Sequence, residues 1–351
     1  MTSKKLPIAL GLEKIYRLLD LIDNPQDNFK VVHVAGTNGK GSVCAFVSSI
    51  LKNSNFKVGR FVSPHLVEVR DSITINDEAM SEKDWNECWS YIESVANKME
   101  ENMRPSNFER TTAIALHHFS KSNLDFAVIE VGLGGRTDAT NVFKNPLVCA
   151  VAAIGEDHKE YLGNTLEEIA SNKAGIFKKD AVAVVGRQLS SSIEAVFQKE
   201  ADQVGCRKIV FTNPSKRDVE EGYAVTEHGL RYYLPLHGDF QLYNSAIAIQ
   251  VALELKDMGY SQITQDTIQQ GIRNAVWRGR AEWVELPAGK RVLIDGAHNP
   301  QGVEAFRNYI DAHAKRHQLE KPNTWIFAST VGKEIERNLK ILLRPGDRVV
   351  C

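Results

Sequence analysis

The chain has 351 residues, enough for about two domains, since single hydrophobic cores stop growing near roughly 250–300 residues. Hydrophobic residues at 43% and charged residues at 25% exclude a disordered chain, and 43 Lys+Arg against 44 Asp+Glu leave no excess charge to attract nucleic acid or an anionic membrane. The 5 cysteines (Cys44, Cys88, Cys149, Cys206 and Cys351) include no C-x-x-C pair, which argues against a disulfide framework or structural zinc. No apolar run is long enough to span a bilayer, and the N-terminal MTSKKLPIALGLEK lacks a long apolar core. The expectation is a soluble cytoplasmic protein, with a mitochondrial address left open, that acts on small molecules as a monomer.

The N-terminal part alternates short β-branched runs with helical periodicity, the pattern of a mostly parallel α/β sheet. Phe29–Val34 reads as a strand. Val43, Phe46, Val47, Ile50 and Leu51 then mark one face of a helix. Val58–Val62 is a second strand. Ser81 opens a helix with Trp85, Trp89, Ile92, Ala96 and Met99 on one side and Asp84 at the acidic position of a capping box. Phe126–Val131 and Leu147–Ile154 suit central strands, and Thr165-Leu166-Glu167-Glu168 is a capping box leading a helix through about Lys173. Tyr223–Pro235 reads as a hairpin turning at His228-Gly229, followed by a helix from about Tyr243 to Met258. Helical patterning stops around Trp277–Arg280, which places a domain boundary at 282/283. The remainder restarts as Arg291–Ile294 (strand), Val303–His313 (helix), Trp325–Ala328 (strand), a further helix, and Asp347–Cys351 (strand). A parallel sheet ending on a fresh strand predicts a second, smaller Rossmann-like α/β domain that is cut short.

Between the first strand and its helix lies Ala35-Gly36-Thr37-Asn38-Gly39-Lys40-Gly41-Ser42. Strand, glycine-rich turn, Gly-Lys and helix form a phosphate loop, in which backbone N–H groups curl round phosphate and lysine neutralises it. The match to G-x-x-x-x-G-K-[ST] is imperfect: Val34 holds the first glycine position, and Gly41 separates Lys40 from Ser42. The alternative is a tight βα turn with no ligand.

His33–Ser42 resembles the phosphate loop of the Mur ligase superfamily, and its G-T-N-G-K-G-S form resembles the folylpolyglutamate/dihydrofolate synthase branch. Ser63-Pro64-His65-Leu66, Glu130–Arg136, Asp157-His158 with Leu162–Thr165, Lys173–Ile176 and Asp295–Pro300 follow in that family's order. The resemblance covers nearly the whole chain. It implies a P-loop Mur-ligase-type ATP-binding domain over 1–282, a C-terminal ligase domain over 283–351, and about 70–80 further residues beyond the present end. It also implies an ATP-dependent ligase using Mg²⁺, with 7,8-dihydropteroate and L-glutamate as partners. Asp71-Ser72-Ile73-Thr74-Ile75-Asn76, in a segment expected to be a mobile substrate loop, is similar to fungal dihydrofolate synthases. A folylpolyglutamate synthase, or one enzyme doing both reactions, is the alternative; a nucleotide-binding regulator or a simple ATPase is more remote.

By that resemblance Gly36, Thr37, Asn38, Gly39, Lys40, Gly41, Ser42, Asn244, Arg280, Asp295 and His298 contact the nucleotide, and Ser63, Glu130 and His158 hold the metal. Mg²⁺ prefers oxygen ligands and takes few protein groups. Glu130 ends an apolar strand where open α/β sheets bind ligands, although a satisfied strand-end carboxylate would look the same. A lone His158 is more often structural, and Arg280 alone would read equally well as a linker charge. Lys173 lies four residues after Ile169 and seven after Leu166, so it shares the apolar face of its helix. An inward lysine is costly unless paired or altered, or unless it snorkels outward; the resemblance implies a carbamylated lysine there. Lys40, Lys173, His158 and Glu130 are the expected catalytic group. Asn107, Phe108 and Glu109, with Asp138, are the expected substrate residues, against a reading in which Phe108 merely begins a core helix.

Overall fold

The computed structural model describes residues 11–319, 322–329 and 334–350. Its frame is an eight-stranded sheet in the order β4-β3-β2-β5-β1-β6-β7-β8, with strands β1 Lys30–Ala35, β2 Val58–Phe61, β3 Ile73–Ile75, β4 Glu78–Ala79, β5 Phe126–Glu130, β6 Val148–Val151, β7 Val182–Gly186 and β8 Lys208–Thr212. Six of these run parallel; β3 and β4 add an antiparallel edge. Strands β5, β6 and β7 are buried along their whole length, which is why they read as unbroken apolar runs rather than alternating ones.

The helices are α1 Glu13–Asp20, α2 Lys40–Asn53, α3 Glu82–Ala96, α4 Asn107–Lys121, α5 Lys159–Leu162, α6 Leu166–Ala174, α7 Ser191–Val204, α8 Phe240–Asp257 and α9 Gln265–Arg273. Successive strand residues point to opposite faces and so choose between two sets of helices. Val32, Val34, Val128 and Val184 pack on α2, α8 and α9. On the other face, Val31 and Ile129 meet α1, α3 and α4, and Cys149 and Val185 meet α6 and α7. The predicted capping box of α6 is present, with Thr165 and Glu168 satisfying each other's backbone N–H groups. Ser81 caps α3 by accepting from the Asp84 N–H, but its hydroxyl donates to the Asp84 carboxylate, so the reciprocal half of that box is not made. Trp89 stacks on Trp85 one turn earlier and stays exposed at 37%, rather than entering the core with Ile92. The predicted substrate loop 67–75 is partly regular, since Ile73–Ile75 pairs with β2.

After β8, the strands β9 Lys216–Arg217, β10 Tyr223–Val225 and β11 Arg231–Tyr233 form a small antiparallel sheet containing the expected hairpin. Strand β12 Glu282–Leu286 pairs antiparallel with β13 Lys290–Ile294, a hairpin the sequence did not announce because β12 is half-exposed and carries two glutamates. Helix α10 Pro300–Arg316, β14 Thr324–Ile326, α11 Ile335–Leu342 and β15 Arg348–Val350 follow, with β14 and β15 parallel. The expected end of that last strand, Cys351, lies outside the described residues. Val303, Phe306 and Leu342 make a separate small core.

Helix α9 crosses α2 so closely that a Cβ on Gly271 would strike the backbone of Ile50. Gly271→Ala should therefore destabilise the fold by about 1–3 kcal/mol, the usual cost of overpacking, read as a lower urea midpoint at unchanged slope.

Candidate active site

The carboxyl ends of β1, β2, β5 and β6 open into a cavity of about 2240 Å³ that also reaches Arg280, Asp295 and His298. A crevice outside the carboxyl ends of parallel strands is where open α/β sheets bind ligands. The turn from β1 into α2 forms its floor. Gly36 and Gly39 take φ of 147° and 92°, left-handed values that favour glycine. The Thr37 and Asn38 N–H groups both point at the Ala153 carbonyl, so these two residues line the cavity without offering it their amides. Gly39 caps α2 without a side-chain partner, and the first-turn amides of Lys40, Gly41 and Ser42 are therefore left for a ligand.

Around that floor the predicted charged groups converge. Glu130, at the end of β5, is 4% exposed; its Oε2 accepts from the Ser63 N–H at 3.3 Å, and its Oε1 lies 3.7 Å from Lys40 Nζ. Burial raises the Glu130 pKa, and Lys40 opposes the rise. Lys173 is 5% exposed, and its Nζ donates to the Gly36 carbonyl at 2.8 Å. The expected inward lysine is present. Burial first, and Lys40 second, lower its pKa to about 7. Ser63, Glu130 and His158 all line the cavity, and Ser63 and Glu130 bring the oxygen atoms that Mg²⁺ prefers, although no three His, Cys, Asp or Glu side chains gather closely enough to hold a metal ion among the described residues. His158 adopts a left-handed φ of 52°, with Nε2 3.7 Å from Asp157 Oδ2.

The C-terminal segment closes over this floor. Asp295, at the end of β13, accepts from the Ala281 and Ala297 N–H groups at 2.7 Å each, and so ties the crossing segment to the strand end; burial raises its pKa. Arg280 donates to the Gly279 carbonyl and lines the cavity. His298 Nε2 lies 3.1 Å from Asp157 Oδ2. Asn299 caps α10 and exchanges hydrogen bonds with the Asn38 side chain, whose amide also donates to Gln301 at 2.7 Å. Asn244 packs on Gly39 and donates to Gln241, which in turn reaches Ser42.

The predicted substrate residues divide. Asn107 and Phe108 line the cavity, with Phe108 stacked on Phe61 at 6.1 Å. Glu109 is the reciprocal partner of Ser106 in the α4 capping box and so anchors the backbone next to Phe108. Asp138 is buried, and its carboxylate accepts from the Leu133 and Thr140 backbone N–H groups. Asp157, Asn299 and Gln301 join the hydrogen-bond network at this crevice, and sequence reasoning gave them no role. The first two stand inside quoted motifs without a role, and Gln301 carries no local signal, because its partner Asn38 lies 263 residues away.

Two family models match the chain: Mur ligase middle domain over residues 34–252, and dihydrofolate synthetase, C-terminal domain, over residues 286–351. The probable dihydrofolate synthetase of Schizosaccharomyces pombe is 35% identical over 99% of this chain and 82% of its own length. The dihydrofolate synthetase of Saccharomyces cerevisiae is 33% identical over 98% of this chain and 81% of its own. A Mycobacterium tuberculosis folylpolyglutamate synthase solved with ADP and AMPPCP superposes with a TM-score of 0.85 at 29% identity, covering 97% of this chain and 78% of that one.

The lowered pKa of Lys173 has a thermodynamic consequence. The unfolded lysine titrates near 10.5 and the folded one near 7, so the native state is penalised fully below pH 7, and the penalty fades as pH rises toward 10.5. In CO₂-free buffer, Lys173→Met should be more stable than the parent at pH 7, with the difference in unfolding free energy shrinking steadily up to pH 10. A difference independent of pH would contradict the buried, unpaired cation.

Proposed function

The chain belongs to the dihydrofolate synthase and folylpolyglutamate synthase family of Mur-type ligases, and on that premise we propose that it joins L-glutamate to 7,8-dihydropteroate with conversion of ATP to ADP and phosphate. The observation that carries this reading is the convergence of Lys40, Glu130 and Lys173 behind one nucleotide loop, at the mouth of a cavity that continues past Phe108. The acceptor carboxylate attacks the γ-phosphorus of ATP, giving an acyl phosphate and ADP. The glutamate amine then adds to the acyl carbon, and collapse of the tetrahedral adduct expels phosphate. Little covalent chemistry falls to the protein, whose work is positioning and charge stabilisation.

In this reading the α2 amides and Lys40 hold the β- and γ-phosphates, while Asn244, Arg280, Asp295 and His298 hold the rest of the nucleotide. Ser63, Glu130 and His158 would hold Mg²⁺, which supplies neutralisation of phosphate charge. Phe108 and Asn107 face the pterin, with Glu109 and Asp138 fixing the backbone around it. We place the boundary between the two domains at 282/283 and the reaction in the cytoplasm. Lys173 acts as a carbamate. Its pKa of about 7 supports this, because the neutral amine is the form that attacks CO₂, and the product exchanges a cation beside Lys40 for an anion.

A second reading, folylpolyglutamate synthase, is favoured by the likeness to the Mycobacterium tuberculosis enzyme. Phosphate release with glutamate and either dihydropteroate or tetrahydrofolate separates the two; turnover of dihydropteroate at least tenfold faster is expected, and the reverse preference would replace the first reading by the second. Lys40→Ala should cost at least 10²-fold in kcat with the fold retained, the size of loss seen when one charge-stabilising donor is removed. Intact mass in bicarbonate should show one added CO₂ that Lys173→Met lacks.

A further inference from the structure

Beneath the site runs a polar chain of which the proposed reaction uses only the last member, Asp138. His33, in β1, is fully buried, and its Nε2 lies 2.9 Å from Thr140 Oγ1. The Thr140 hydroxyl donates to Asp138 Oδ1 at 2.5 Å. Asp138 also accepts from the Thr140 N–H at 2.9 Å and, through Oδ2, from the Leu133 N–H at 2.7 Å. Burial raises the Asp138 pKa while these hydrogen bonds hold it down; in its ionised form the carboxylate only accepts, and a threonine hydroxyl has a single hydrogen. With that hydrogen directed at Asp138, Thr140 must accept from His33, so His33 carries its proton on Nε2. The other ring nitrogen, Nδ1, is buried with no partner among the described residues, as an acceptor-only atom in this tautomer. Burial lowers the imidazole pKa to about 3, so the ring is neutral throughout the working range. Phe143 meets the imidazole in a T-shaped contact, with ring centroids 5.5 Å apart.

Asp138 links this chain to the cavity wall. It pins Leu133 within Gly132-Leu133-Gly134, which lines the cavity next to Glu130. On one side, a Cβ on Gly132 would come within 2.5 Å of the Phe108 ring. On the other, a Cβ on Gly135 would come within 2.7 Å of the Lys173 carbonyl. The glycine segment is thus wedged between the aromatic wall and the Lys173 helix, and a shift of Asp138 reaches both. We propose that His33 and Thr140 are positioning residues, whose ordered donor chain His33→Thr140→Asp138 fixes the Asp138 carboxylate and, with it, the glycine segment between Phe108 and Lys173. The inference rests on reading this cavity as the acceptor site of the ligase.

The test combines kinetics with a tautomer measurement on the whole chain. Thr140→Val keeps the side-chain shape but removes the relay; His33→Leu removes the donor; His33→Gln restores one N–H. Thr140→Val and His33→Leu should each lower kcat/KM for the pterin acceptor about tenfold, as loss of one buried hydrogen bond would, leaving the KM for ATP within about twofold. His33→Gln should recover most of that loss, and ¹⁵N NMR of the parent protein should report His33 with its proton on Nε2. Reduced thermal stability with unchanged kcat and KM in both disrupting variants would overturn the proposal, as would a proton on Nδ1. A parent protein inactive on every pterin acceptor would instead sink the functional reading, leaving the tautomer measurement to decide the donor chain.

Discussion

Lys173 sits 5% exposed beside another lysine, with its amine against the Gly36 carbonyl, and much of the site is arranged around the cost of holding it there. A buried ammonium group is tolerated only if it is paired, neutralised or modified. The carboxylate nearest the phosphate loop, Glu130, pairs with Lys40 rather than with Lys173. Lys173 is left with a backbone carbonyl as its hydrogen-bond partner, the lesser pull of Asp157 and Asp138, and a pKa of about 7. The helix that carries it is capped at Thr165, and Gly135 packs directly on its backbone, so the amine cannot retreat by a small local shift.

The same crevice is sealed by side-chain amides rather than by an apolar interface. Asn38 in the phosphate loop bonds with Asn299 and Gln301 at the start of α10, and Asp157 bonds with His298. These contacts tie the glycine-rich loop to the segment that covers it. A reaction through an acyl phosphate needs such cover, since water competes with the amine for the activated carboxyl group.

Much of the frame was legible in the sequence for identifiable reasons. The parallel strands are buried on both faces and read as continuous apolar runs, and the capping box at Thr165 announced α6 outright. Lys173 was legible because helical periodicity alone put a charge on the apolar face. What escaped depends on partners distant in the chain. Strand β12 is half-exposed and becomes a strand only through β13, Gln301 gains meaning only from Asn38, and His33 gains it only from Thr140, 107 residues away. Glu109 shows a motif residue whose visible work is local: it closes the cap of its own helix and so anchors the backbone beside Phe108.

The central claim is that this cavity activates a carboxylate by transferring phosphate to it. Dihydropteroate labelled with ¹⁸O in its carboxyl group, turned over with ATP and glutamate, tests that step without reference to any single residue. The account predicts one ¹⁸O atom in each inorganic phosphate released. Phosphate free of label, formed alongside the amide product, would contradict it.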